Sequence, residues 1–178
     1  RTRVHGIQTW IALPRAEEER EPSFAHHGSA SLPRVERPGA ILTVIAGTAY
    51  GKQSPVDVFS PTLYVDAQLT DGAAIEVPDE HQQRACYVAQ GRIEIAGQAY
   101  GEGQFIVLAT AAGPVSITAL QASRVMLAGG AALDGPRHIY WNFVSSTRER
   151  IEAASRDWRE HRFAPVPGDA ERIPLPDE

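Results

Sequence analysis

The sequence predicts an all-β sandwich or barrel that carries one C-terminal α-helix. Short apolar runs recur between residues 40 and 130, most of them bounded by Gly, Pro or Asp. After HIYWNFV at 138–144 the apolar spacing changes to the helical period. A chain of 178 residues, 43% of them hydrophobic, can bury one real core and still carry a small appendage.

The elements follow in order. VHGIQTWIAL at 4–13 is β-prone and stops at Pro14. AEEEREP is a charged loop, and SFAHHGSASLPRVERPG is turn-rich, punctuated by Pro33, Pro38 and Gly39. AILTVIAG, TLYVDAQL, AAIEV, ACYVAQ, RIEIAG, FIVLA, VSITAL and RVMLAGG read as strands. AQGRIEIAG is a hairpin candidate with its turn at Gln90–Gly91, and GEGQ at 101–104 is a second tight turn. Ser146 and Glu149 have the spacing of a capping box. Ile151, Ala154 and Trp158 then recur at i, i+3 and i+7, and Glu152 precedes Arg156 by four, which predicts an amphipathic helix over 147–160. Its apolar stripe is thin and carries one large aromatic, so it is expected to dock. FAPVPGDAERIPLPDE is Pro-rich and is expected to lie extended on a surface.

Charge and cysteine content exclude several classes. The net charge of −5 offers no basic field for nucleic acid, and Lys52 is the single lysine. Cys86 stands alone, so no internal disulfide can form and a reducing, cytoplasmic location is expected. No apolar run reaches the length of a membrane helix.

Residues 71–91, DGAAIEVPDEHQQRACYVAQG, carry the chemical question. Two apolar runs flank a polar turn, with Gly72 and Gly91 at the ends and His81 as the only histidine between them. The stretch resembles the first motif of the cupin family, G-x5-H-x-H-x3,4-E-x6-G, whose two His and one Glu hold a divalent metal inside a jelly-roll-like β-barrel. On that alignment the ligand positions are Pro78, Glu80 and Arg84. Proline has no side-chain lone pair and arginine is permanently cationic. His81 is one residue out of register. The second cupin motif, counted from Gly103, places Ala109, Ala111 and Pro114 at its proline, glycine and histidine positions. The resemblance therefore implies a cupin scaffold with vacated ligand positions Pro78, Glu80, Arg84 and Pro114, and no metal or cofactor in this chain. Arg84, facing the lumen, needs a charge-assisted hydrogen bond; Glu80 is the first candidate partner and a backbone carbonyl the second.

A narrower resemblance runs over nearly the whole chain. HGIQTWIALP at 5–14, VIAGTAYGKQSPV at 44–56, SPTLYVDAQL at 60–69 and LDGPRHIYWNFVSSTRERIEAASRDWREHRFAPVPGDAERIPLP at 133–176 look like the pirin family of bicupins. The resemblance implies that residues 1–14 are the last strand of an N-terminal cupin outside the chain and 15–43 a linker. Residues 44–144 would be the C-terminal cupin barrel, and 145–178 the helix and extended tail. It implies iron in the N-terminal cupin, held by three His and one Glu. It leaves two functions open: an iron-dependent quercetin 2,3-dioxygenase whose site this half shapes and closes, or a non-enzymatic, regulatory module that binds a protein partner. The expected partners are the N-terminal cupin of the same protein, a protein partner, or a second copy through residues 4–13. Trp10, His138, Ile151 and Trp158 are the candidate interdomain interface.

The remaining residues read structurally. His5 belongs to the first strand, and the adjacent His26 and His27 cannot chelate together on a strand. Cys86 shares the parity of Arg84 and Val88, so it is expected to be a buried, inert thiol. SSTRER is explained by helix capping rather than phosphate binding, and RERIEAASRDWR mixes both signs, as a solvated helix face does.

Overall fold

The computed structural model describes residues 6–110, 113–165, 168 and 171–176; His5 and Ala111 lie outside these described residues. The chain divides into two compact units, one of residues Glu21–Ala132 and one of Arg1–Arg20 with Leu133–Glu178. No helix among the described residues is long and apolar enough to cross a membrane.

The larger unit is all β. Its strands are β1 (Arg34–Arg37), β2 (Ala40–Ala49), β3 (Lys52–Gln53), β4 (Thr62–Leu69), β5 (Ala74–Val77), β6 (Gln83–Gln90), β7 (Arg92–Ile95), β8 (Gln98–Gly101), β9 (Phe105–Leu108), β10 (Val115–Ala119) and β11 (Ser123–Gly130). Among the described residues they form a seven-stranded sheet, in the order β1-β2-β4-β11-β6-β9 with β3 on β2, and a four-stranded sheet in the order β5-β10-β7-β8. Both sheets donate alternate residues to one core. Leu42, Val65, Val88 and Leu127 come from the first, Ile75, Ile93 and Ile117 from the second. From β4 to β11 the chain passes repeatedly from one sheet to the other. That crossing is the jelly-roll arrangement.

The expected all-β jelly roll is found, its two sheets facing each other with no ladder joining them among the described residues. Three other expectations change. Gln90–Gly91 is not a hairpin turn, because β6 and β7 lie in different sheets. Gly91 has φ +87, and a Cβ there would meet the Ala122 carbonyl oxygen at 2.5 Å, so it marks where the chain changes sheet against a neighbouring turn. The hairpin lies one step later, where Ala96 (φ 50) and Gly97 (φ 78) join β7 to β8 in a turn of primed type. The stretch 15–43 is not all linker, since β1 and the start of β2 fall within it. Residues 6–14 form no strand; Ile7, Trp10 and Ile11 are 45%, 52% and 52% exposed, so no neighbouring strand among the described residues draws them into a ladder.

The smaller unit contains a 3-10 turn at Arg15–Glu17, then β12 (His138–Tyr140), β13 (Phe143–Ser145) and α1 (Arg148–Arg159). β12 and β13 make a hairpin whose two-residue turn begins at Trp141, held at φ +50. That strained backbone places Trp141 among other rings. It lies edge-on to Phe143 at 5.4 Å and to Trp158 at 5.0 Å, and Phe163 stacks on Phe143 at 5.9 Å. Trp10, Trp141 and Trp158, the chain's three tryptophans, all belong to this unit. The helix cap is shifted by one residue from the expected box. Thr147, not Ser146, is the N-cap, and its Oγ1 accepts from the Arg150 amide at 3.3 Å. Ser146 is occupied elsewhere: its amide and hydroxyl both donate to the Glu18 carboxylate, at 3.1 and 2.8 Å.

Candidate functional site

The structure places each of the four residues expected at vacated ligand positions. Pro78 follows β5 and is buried, and Pro114 precedes β10 and is exposed. Arg84 is the second residue of β6 and shares its inward parity with Cys86 and Val88, both fully buried. Arg84 itself is 4% exposed. Its guanidinium donates to the Pro78 carbonyl at 3.5 Å and to the Gly113 carbonyl at 3.4 Å. One buried cation thus draws the loop after β5 towards the loop before β10. Pro78, Arg84 and the Gly113–Pro114 peptide come together at the mouth of the sandwich.

Glu80 is left out. The expected Glu80–Arg84 ion pair does not form among the described residues, and Glu80 is exposed. The physical reason lies in the register. That expectation carried a strand from Pro78 through Arg84, whereas residues 79–82 form a bend that turns Glu80 into solvent before β6 begins at Gln83. Arg84 takes carbonyl partners, the second of the two expected kinds. His81 sits in the same bend and is 6% exposed, its Nε2 2.9 Å from the Thr48 carbonyl oxygen, so it locks the bend to β2.

These donors do not suit a transition metal. Proline supplies only a carbonyl, the guanidinium repels a cation, and the one carboxylate faces away. Among the described residues no group of three or more His, Cys, Asp or Glu could hold a metal ion. Cys86 is fully buried on the strand that carries Arg84, and burial pushes its thiol up to about 11, which suppresses the reactive thiolate. Beside this mouth, a hollow of about 390 Å³ is lined by Arg84, Phe105, Val107, Leu108 and Gly129.

The other candidates belong to the smaller unit. Trp10 is half exposed, and Trp158 is engaged by the aromatic cluster while its Nε1 donates to the Ile173 carbonyl at 2.9 Å. His138 and Ile151 share a groove of about 580 Å³ with Arg148 and Arg156. From the sequence those arginines read as part of a solvated face. Their i, i+8 spacing, in line with Ile151, was the available signal. His26 is exposed and His27 half-buried. An ion-paired hub also escapes sequence reasoning: Arg137 meets Glu18 at 2.7 Å and Asp134 at 2.6 Å, and donates to the Leu13 carbonyl at 2.7 Å.

Comparison with known proteins bears on this geometry. Residues 64–164 match the family described as the Pirin C-terminal cupin domain. A pirin-like protein of Caulobacter vibrioides is 45% identical over 98% of this chain and 61% of its own length. Pirin of Rattus norvegicus is 29% identical over 88% of the chain and 56% of its own length. A crystal structure of quercetin 2,3-dioxygenase from Acinetobacter baumannii superposes with a TM-score of 0.83 at 29% identity, over 94% of the chain and 56% of that protein. The chain thus spans little more than half the length of the proteins it matches.

Proposed function

The chain belongs to the pirin family, and from that premise we propose that it is the metal-free cupin half of a quercetin 2,3-dioxygenase. In this reading the redox iron sits in a second, N-terminal cupin of the same cytoplasmic protein, and that cupin is the chain's first partner. The observation that carries the reading is Arg84. A permanent cation is buried where a cupin would hold a metal ligand. The likeness to a flavonol-cleaving enzyme nevertheless extends over 94% of the chain. Ring opening with O2 needs a redox metal with open positions, which this donor set does not offer. The chain's own contribution is structural: Arg84 fixes two loops at the mouth of the sandwich.

Elemental analysis and quercetin consumption test this. The chain alone, dialysed against chelator, is expected to retain no stoichiometric iron, nickel or zinc and to leave quercetin intact. A protein containing both cupins is expected to hold iron and consume the flavonol. A stoichiometric metal bound within residues 72–114 would overturn the metal-free assignment. A two-cupin protein that is iron-loaded yet inert towards flavonols would overturn the dioxygenase reading.

A further inference from the structure

The groove between β12 and α1 belongs wholly to the smaller unit, and its chemistry is independent of any activity towards flavonols. Ile139 and Ile151 supply its apolar lining, and Ile139 is 69% exposed. Arg148, Glu152 and Arg156 follow one another at i, i+4 and i+8 along the same helical face.

The pairing of the arginines sets this face apart. Arg20, Arg137, Arg150 and Arg162 of the same unit each hold a carboxylate. Arg148 and Arg156 are exposed and make no side-chain hydrogen bond or ion pair among the described residues. Glu152, one turn from each, pairs with neither. Arg148 is moreover the first residue of α1, where the helix dipole favours anions, so its charge works against the helix.

We propose that this groove binds an acidic peptide segment carrying two carboxylate side chains four residues apart, with an apolar residue between them. Eight residues of helix rise about 12 Å, which an extended chain covers in about four residues. Arg148 and Arg156 receive the two carboxylates as charge-assisted hydrogen bonds. Glu152 lies midway and repels a third negative charge, so the centre of the ligand is neutral. Ile139 and Ile151 receive its apolar side chain. Arg159 also lines the groove but is already engaged, and the net charge of −5 offers no wider basic field for a polyanion such as nucleic acid.

Calorimetric titration tests the proposal on the intact protein. The probe is a five-residue peptide with glutamate at both ends, leucine at its centre and alanine between. Saturable binding is expected, about threefold weaker for Arg148→Ala or Arg156→Ala and about tenfold weaker for the double variant. Arg34→Ala, on β1 of the larger unit, should bind as the parent does. Replacing the terminal glutamates by glutamine should weaken binding, and a peptide of five glutamates should bind less well than the probe. Equal affinity in the double variant, or an equal or better fit of the all-glutamate peptide, would overturn the proposal. So would self-association of the protein that the double variant abolishes, because the occupant would then be a second copy.

Discussion

Arg137 Nε lies 2.7 Å from the Glu18 carboxylate, across 119 residues of chain, with the arginine side chain 4% exposed and the glutamate 13%. Glu18 also accepts from Ser145 and Ser146, and Arg137 also holds Asp134 and the Leu13 carbonyl. The pair is therefore the hub that ties residues 13–18 to residues 134–146. Removing one member leaves the other charge buried. Arg137→Ala is expected to cost about 3 kcal/mol in urea unfolding, near the lower end for a broken buried pair. A loss below about 0.5 kcal/mol, the scale of an ordinary surface change, would contradict the hub.

The same carboxylate sets a pH dependence. Burial alone would raise the Glu18 value, but hydrogen bonds from Ser146 and the charge of Arg137 outweigh it, so its value falls below the ordinary 4.5. A lowered folded value means stability that is fully present above 4.5 and is lost as the pH falls through the lower folded value. Acid titration followed by circular dichroism should show this loss, and Glu18→Gln should flatten it. An unchanged acid limb in the glutamine variant would reject the assignment.

Arg84→Ala should destabilise the larger unit by about 2 kcal/mol, because the buried Pro78 carbonyl and the part-buried Gly113 carbonyl lose a charged donor. Glu80→Gln should change stability by less than about 0.5 kcal/mol, since Glu80 is exposed. The two midpoints in a denaturant series decide the matter; equal losses would restore the ion pair that the structure leaves out.

Thr147→Ala removes the N-cap acceptor of α1 and is expected to cost about 1 kcal/mol. Ser146→Ala acts differently, because its hydroxyl serves Glu18 and not the helix. Amide hydrogen exchange separates them. Thr147→Ala should speed exchange at Arg150, whereas Ser146→Ala should not.

Cys86, with its thiol pushed up to about 11 and its side chain fully buried, should resist thiol reagents at neutral pH in the folded chain. Labelling should become complete only in denaturant. Rapid labelling under native conditions would place β6 in a different register.

The positions of the strands were legible because short apolar runs punctuated by Gly and Pro survive any packing. Their pairing was not. Gln90–Gly91 has the local chemistry of a hairpin turn, and only the long-range pairing of β6 with β11 and of β7 with β10 makes it a change of sheet. RVER in β1 escaped notice because Val35 is its one buried residue. At the site, the burial of Arg84 and Cys86 followed from parity along one strand. The fate of Glu80 did not, because a bend at 79–82 breaks that parity. The Arg137 hub joins residues too distant in sequence for any local pattern to reveal.

All three tryptophans lie in the unit that contains α1, and residues 21–132 contain none. Intrinsic indole emission is consequently a private signal of that unit. The thiol of Cys86 is an equally private signal of the other. A single unmodified sample thus carries two orthogonal reporters. If emission and labelling change at one denaturant concentration, the units unfold as a single cooperative body; if they part, the gap between the two midpoints measures how far each unit stands by itself.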